Sequence, residues 1–170
     1  EKRQNYLANV IFKDLAADVL EMAHLTYDIE SVPMWLVVEL LRHRLVAREF
    51  SLEQLSQRAI NPNKLEMYEH GAMFGALDSM RREYVDSVVK YANEQKIAPE
   101  NIRGYYPQDV LVNFVISGNL RSFHHFFFMR SSELYQGKGG AHPLFMQLAD
   151  NMQAQASSVM PILMKTILRA

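Results

Sequence analysis

Four clusters of basic and polar residues, spread between positions 39 and 130, have the composition of an anion site. Arg42-His43-Arg44 follows an apolar segment, and on a continuous helix Glu39, Arg42 and His43 would fall at i, i+3 and i+4 and share a face. Gln54-Leu55-Ser56-Gln57-Arg58 sets a hydroxyl two residues from a guanidinium in a polar segment. Together with backbone N–H groups these can hold a phosphate, each charge-assisted bond contributing about 1.5–3 kcal/mol. Arg103 precedes Tyr105, Tyr106 and Pro107. Asn119-Leu120-Arg121-Ser122 leads into an aromatic run that ends at Arg130. There Arg121 and His125 are i, i+4, whereas Asn119 and Arg130 fall nearly in phase on a different face. Polar groups on two faces of an aromatic helix suit a wall between two ligands or two subunits. Each cluster also has an ordinary explanation: cations near a helix C-terminal dipole, a turn with an exposed Arg, a helix cap, or an amphipathic helix with solvated ends.

The elements that position these residues follow from hydrophobic spacing. Residues 5–23 read as a helix and 25–32 as an alternating strand. Pro33 suits the first turn of a second helix running to about Val46. Residues 50–62 read as a polar loop with room for one helical turn. The longest helix spans about 63–96, where Gly71, Gly75 and Ser79 lie four apart, a place for close helix approach or for a kink. A short helix opens at Pro99 and ends before Pro107. Residues 110–116 are β-rich, 119–130 form a helix, Gly137, Gly139 and Gly140 make a loop, and Pro143 starts a final helix. The expected class is α+β: a single helix-dominated domain over residues 1–170 with a small antiparallel sheet.

Composition narrows the function. The chain has 170 residues, 49% hydrophobic and 22% charged, enough for one domain with a real core. A net charge of -1 argues against steering toward a nucleic acid polymer, so anion binding must come from local arginines. No apolar run approaches the roughly 18 residues that span a membrane, and no secretory signal follows the charged Glu1-Lys2-Arg3-Gln4. A cytoplasmic location (a host's cytoplasm for a viral protein) is expected. The absence of cysteine removes disulfides, thiolate metal ligands and Cys nucleophiles together. The six histidines show no HExxH or other ligand spacing, so no metal site is expected.

In combination and in order, these motifs resemble the flavin-dependent (alternative) thymidylate synthases. The family hallmark is Arg-His-Arg, a spacer, then Ser-x-Arg, matched by Arg42-His43-Arg44 and Ser56-Gln57-Arg58. An Arg ahead of a Pro, then Asn-x-Arg-Ser, then a closing Arg is matched by Arg103, Pro107, Asn119-Leu120-Arg121-Ser122 and Arg130. The resemblance runs from about Met22 to Gln136. It implies a homotetramer with FAD at subunit interfaces, contacted by Arg42, His43, Arg44, Asn119, Arg121 and His125. It implies a nucleotide site of Gln54, Leu55, Ser56, Gln57, Arg58 and Arg103, with Glu39 and Arg42 beside it. Arg130 would face the uracil and stabilise charge as the ring is activated. NADPH and methylenetetrahydrofolate would be co-substrates, and dUMP would become dTMP. The chain departs from the pattern in a longer spacer after Arg44, Ala59 where Tyr is usual, Glu39 where Gln is usual, and an added glycine loop after Gln136. The upstream element is barely traceable around Glu21 and His24, and the N-terminal part of the family fold is expected to be incomplete.

Two alternatives stand beside thymidylate synthesis: hydroxymethylation of dUMP or a related pyrimidine nucleotide on the same fold, and a non-catalytic helical nucleotide-binding or assembly protein. The methyltransferase reading expects purified protein to absorb at about 450 nm, the flavin band. A protein that stays colourless after FAD is added would refute it.

Overall fold

The computed structural model describes residues 2–13, 17–43, 49–53, 64–132 and 141–168. In chain order they form α1 (Lys2–Ala8), a π-helical turn (Asn9–Lys13), a 3₁₀ segment (Ala17–Met22), β1 (His24–Pro33), α2 (Met34–Leu41) and β2 (Glu49–Glu53). A 3₁₀ turn (Ala72–Phe74), α3 (Gly75–Glu94), α4 (Pro99–Ile102), a second 3₁₀ turn (Arg103–Tyr105) and β3 (Leu111–Asn119) follow, then α5 (Leu120–Arg130), α6 (Pro143–Val159) and α7 (Pro161–Ile167). Helices dominate, and the strands form one small sheet in the order β1-β3-β2. Thr26 bonds Ser117 across the first pair and Ser31 bonds Asn113, so residue numbers fall on β3 as they rise on β1: the pair is antiparallel.

Contacts divide the chain into two compact units. The first holds residues 1–27, 41–50 and 116–170. Its core is the aromatic run of α5: Leu120, Phe123, Phe126 and Phe127 are buried, with Phe145, Ala149, Met152 and Ala156 of α6 and Met164 and Ile167 of α7. The 3.6-residue period sends these positions inward while Arg121, His125 and Phe128 stay exposed. Phe123 stacks near Phe127, and Tyr27 meets Phe123 edge-on at 5.1 Å. The Tyr27 hydroxyl donates to the Met152 carbonyl at 3.0 Å, and burial raises its pKa well above the tyrosine range, so it stays a donor.

The second unit holds residues 28–40 and 51–115. Met67, Val85, Val89 and Val110 form an apolar cluster edged by Leu65 and Tyr106. Met67 also bridges Val110 antiparallel. Beside this lies an ionic knot around Asp109. Its carboxylate accepts from Arg81 and meets the His70 ring at 2.9 Å; Arg81 also reaches Asp78 and the Tyr68 carbonyl, and Asp78 accepts from the His70 backbone N–H. Ser31 on β1 has φ 56, in the left-handed region, and sends its N–H to the Asn113 side chain at 2.9 Å.

Several element expectations need correction. The first helix is broken into α, π and 3₁₀ pieces rather than running unbroken over 5–23. Pro33 ends β1 instead of opening α2, because its fixed φ and missing N–H are tolerated at the end of an edge strand. The long helix begins at Gly75, not 63. Gly71, at φ 89, lies in the approach turn, and no described residue comes within 4 Å of a Cβ built on Gly71 or Gly75, so no helix among the described residues packs on those glycines. Residues 49–53 are a strand rather than loop. The final helix is divided at Met160, ahead of Pro161.

Tyr27→Phe is expected to lower the unfolding free energy by about 0.5–1.5 kcal/mol, because the Met152 carbonyl, already bonded within its helix, loses its second donor. Urea denaturation of the two proteins would measure it; identical midpoints would show that this bond contributes nothing.

Candidate functional site

In the first unit, two motifs distant in sequence meet at one ring. His43, just past the end of α2, stands edge-on to Phe126 at 5.3 Å and tilted against Phe145 at 5.8 Å. Arg130, the last residue of α5, places its guanidinium carbon 5.5 Å from the centroid of the same Phe145 ring. Phe126 and Phe145 pack edge-to-face at 5.8 Å and hold this platform rigid. Arg130 Nη1 donates to the Met129 carbonyl at 3.0 Å, one of the carbonyls that a helix C-terminus leaves open. Its Nε is buried and has no partner among the described residues. No carboxylate among them pairs with Arg130. A half-buried cation without an acid is costly unless an anion or a strong acceptor completes it.

The other candidates on α5 divide by face. The Asn119 side chain is the helix cap: its Oδ1 accepts from Ser122 N–H at 2.9 Å and from Ser122 Oγ–H at 3.0 Å. Arg121 is exposed and paired with Glu21 at 2.7 Å. The faint upstream element around Glu21 is therefore joined to the Asn-x-Arg-Ser motif. His125 is exposed one turn beyond Arg121. Its half-buried neighbour His124 has a lowered pKa: burial lowers it most, a hydrogen bond with the Ile167 backbone opposes this, and His125 adds a lowering charge effect.

α2 ends at Leu41, so Arg42 lies in a turn and His43 beyond it, and the helical face shared by Glu39, Arg42 and His43 does not form. Arg42 is exposed. In the second unit, Glu39 is exposed on α2 and Arg103 is exposed at the start of its 3₁₀ turn. The turn is fastened behind Arg103 by bonds from Tyr106 N–H to the Arg103 carbonyl and from Val110 N–H to the Pro107 carbonyl. Arg44, Gln54, Leu55, Ser56, Gln57 and Arg58 lie outside the described residues.

Phe145 was not legible as a site residue. An apolar residue near the start of a helix reads as core, and it is core; only the fold shows that its ring meets both His43 and Arg130. Among the described residues no group of three His, Asp or Glu side chains has metal-binding geometry, and no helix is long and apolar enough to cross a membrane.

The family described as "Thymidylate synthase complementing protein" matches residues 1–162, and the chain belongs to it. A flavin-dependent thymidylate synthase from Mycolicibacterium gilvum is 31% identical over 135 residues, 68% of this chain and 52% of the relative. The chain thus spans about half the length of that curated relative. Thymidylate synthase X of Helicobacter pylori, crystallised with FAD and dUMP, superposes with a TM-score of 0.76 at 14% identity, over 100% of this chain and 85% of that one. The UMP/dUMP methylase PolB of Streptomyces cacaoi, crystallised with 5-Br UMP, gives 0.73 at 14% identity, over 98% and 82%. At these identities the likeness is one of fold, and the fold matches the helix-dominated α+β architecture expected from sequence.

Asn119→Ala is expected to destabilise the protein by about 1 kcal/mol through loss of the cap, and Asn119→Asp to recover it. Thermal unfolding of both variants checks this; equal destabilisation by Ala and Asp would remove the cap from the explanation.

Proposed function

We propose that the chain binds FAD and dUMP and transfers a one-carbon unit from methylenetetrahydrofolate to C5 of the uracil, giving dTMP with NADPH as reductant. Family membership supports the reaction class, and the Helicobacter pylori relative crystallised with FAD and dUMP supports the ligand pair. The observation that carries the reading is the half-buried guanidinium of Arg130, paired with no acid among the described residues, beside His43 on the Phe145 ring. The donor set fits the ligands: cations for phosphates, aromatic and imidazole rings for a flat heterocycle.

On this reading Arg42, His43, Arg44, Asn119, Arg121 and His125 hold the flavin, which supplies the redox chemistry when bound. Asn119 contributes through its amide N–H groups, since its oxygen is spent on the cap. Gln54, Leu55, Ser56, Gln57, Arg58 and Arg103 hold the nucleotide, the arginines on its phosphate, with Glu39 at the margin. Arg130 faces the uracil. The chain has no cysteine to add to C6, so the ring must be polarised rather than covalently activated. A cation fixed in a partly dry setting stabilises the developing negative charge with little reorganisation. The family's homotetramer belongs to the same reading, with neighbouring copies completing each site.

Arg130→Ala is expected to lower turnover at least about 100-fold while flavin stays bound. Incubation with FAD, NADPH, methylenetetrahydrofolate and dUMP, followed by mass analysis, reads both rate and product. A gain of one methylene supports thymidylate synthesis; a gain that also includes oxygen would replace it with hydroxymethylation; undiminished turnover in the variant would remove Arg130 from the mechanism.

A further inference from the structure

We infer that Asp150, on α6, is a positioning residue for Arg130. This rests on the reading in which Arg130 faces the uracil. Asp150 Oδ1 accepts from Ser131 Oγ–H at 2.8 Å and from Ser132 N–H at 2.9 Å, and Oδ2 accepts from Ser132 Oγ–H at 2.6 Å. One carboxylate therefore takes three donors from the two residues that follow Arg130. Ser131 is fully buried, and its N–H donates to the Phe127 carbonyl at 2.7 Å. Its backbone is extended, with φ -66 and ψ 138, so the helix stops directly after Arg130.

The placement is not explained by helix electrostatics. A carboxylate at a helix C-terminus works against the dipole, so its favourable energy must come from the three hydrogen bonds. Nor does Asp150 neutralise Arg130: the two do not pair, and no other carboxylate among the described residues takes its place. What Asp150 does is fix the backbone on which the guanidinium is mounted. The guanidinium's own restraints, the Met129 carbonyl and the Phe145 ring, leave the position of its Cα undetermined. Phe145 and Asp150 both belong to α6, five residues apart. One helix thus carries the ring under the cation and the clamp behind it, an arrangement that holds a reacting group to its working geometry.

The test is a double-mutant cycle on the full flavin-loaded chain, reading dUMP affinity by titration. Arg130→Ala should weaken dUMP binding at least about tenfold, the effect of one charge-assisted bond. Asp150→Ala should weaken it several-fold, and Asp150→Asn, which keeps Oδ1 as acceptor, should restore most of the loss. In the Arg130→Ala background, Asp150→Ala should add nothing. Should Asp150→Ala fail to fold, Ser132→Ala replaces it with the same criterion. Equal losses in both backgrounds, or unchanged affinity in Asp150→Ala, would overturn the inference while leaving the function in place. An Arg130→Ala variant that binds dUMP as tightly as the parent would take Arg130 out of the nucleotide site, and this inference with it; a parent chain that binds no dUMP would overturn the functional reading itself.

Discussion

A guanidinium drawn partly out of water, with no acid paired to it among the described residues, sets the terms for the rest of the first unit. Arg130 is held at the end of α5 by an aromatic ring and a single carbonyl, with its Nε buried. Ordinary packing does not leave a cation in that condition, because desolvation costs more than a cation–π contact returns. The surrounding aromatics follow from the same constraint. Phe126, Phe127 and Phe145 make a dense apolar wall that gives Arg130 a fixed seat and lowers the local dielectric, so any anion reaching it is felt strongly. His43, from a motif nearly ninety positions earlier, is brought to the same wall.

The second unit treats its half-buried arginine in the opposite way. Arg81 pairs with two acids, Asp78 and Asp109, and His70 closes the knot, although the Arg81 Nε, like that of Arg130, is buried with no partner among the described residues. Such a network orders the segments that enter it: the approach to α3, the strand-like stretch around Met67–His70, and the turn that carries Gln108 and Asp109. Double anchoring is what an internal brace requires. The contrast is between a cation braced by two acids and one that meets no acid among the described residues.

Much of this was readable from the sequence, and the failures have physical causes. α5, β1, β3 and the short helix at Pro99 were marked by strong periodicity and by Asn or Pro at their starts. The ordered motifs led to the family through residue identity rather than geometry. The beginning of α3 was misjudged because residues 64–74 are apolar at nearly helical intervals; the actual path is set by Met67 bridging Val110 and by Gly71 entering the left-handed region, both tertiary facts. Glu39, Arg42 and His43 were given a common face because nothing in the local sequence announces that α2 stops at Leu41. Asp150 and Phe145 were invisible for a different reason: their partners lie many residues away, and a polar residue beside a core stripe looks like any other solvated one.

The bend at Ser31 has a bearing on behaviour at high concentration. Among the described residues β1 is an edge strand, paired with β3 on one side. Near its end the backbone turns left-handed, the Ser31 N–H goes to a side chain, and Pro33 has no N–H to offer. An approaching strand from another molecule would not find a straight rail there. That end of the sheet is thereby blunted against the edge-to-edge growth through which exposed strands build aggregates.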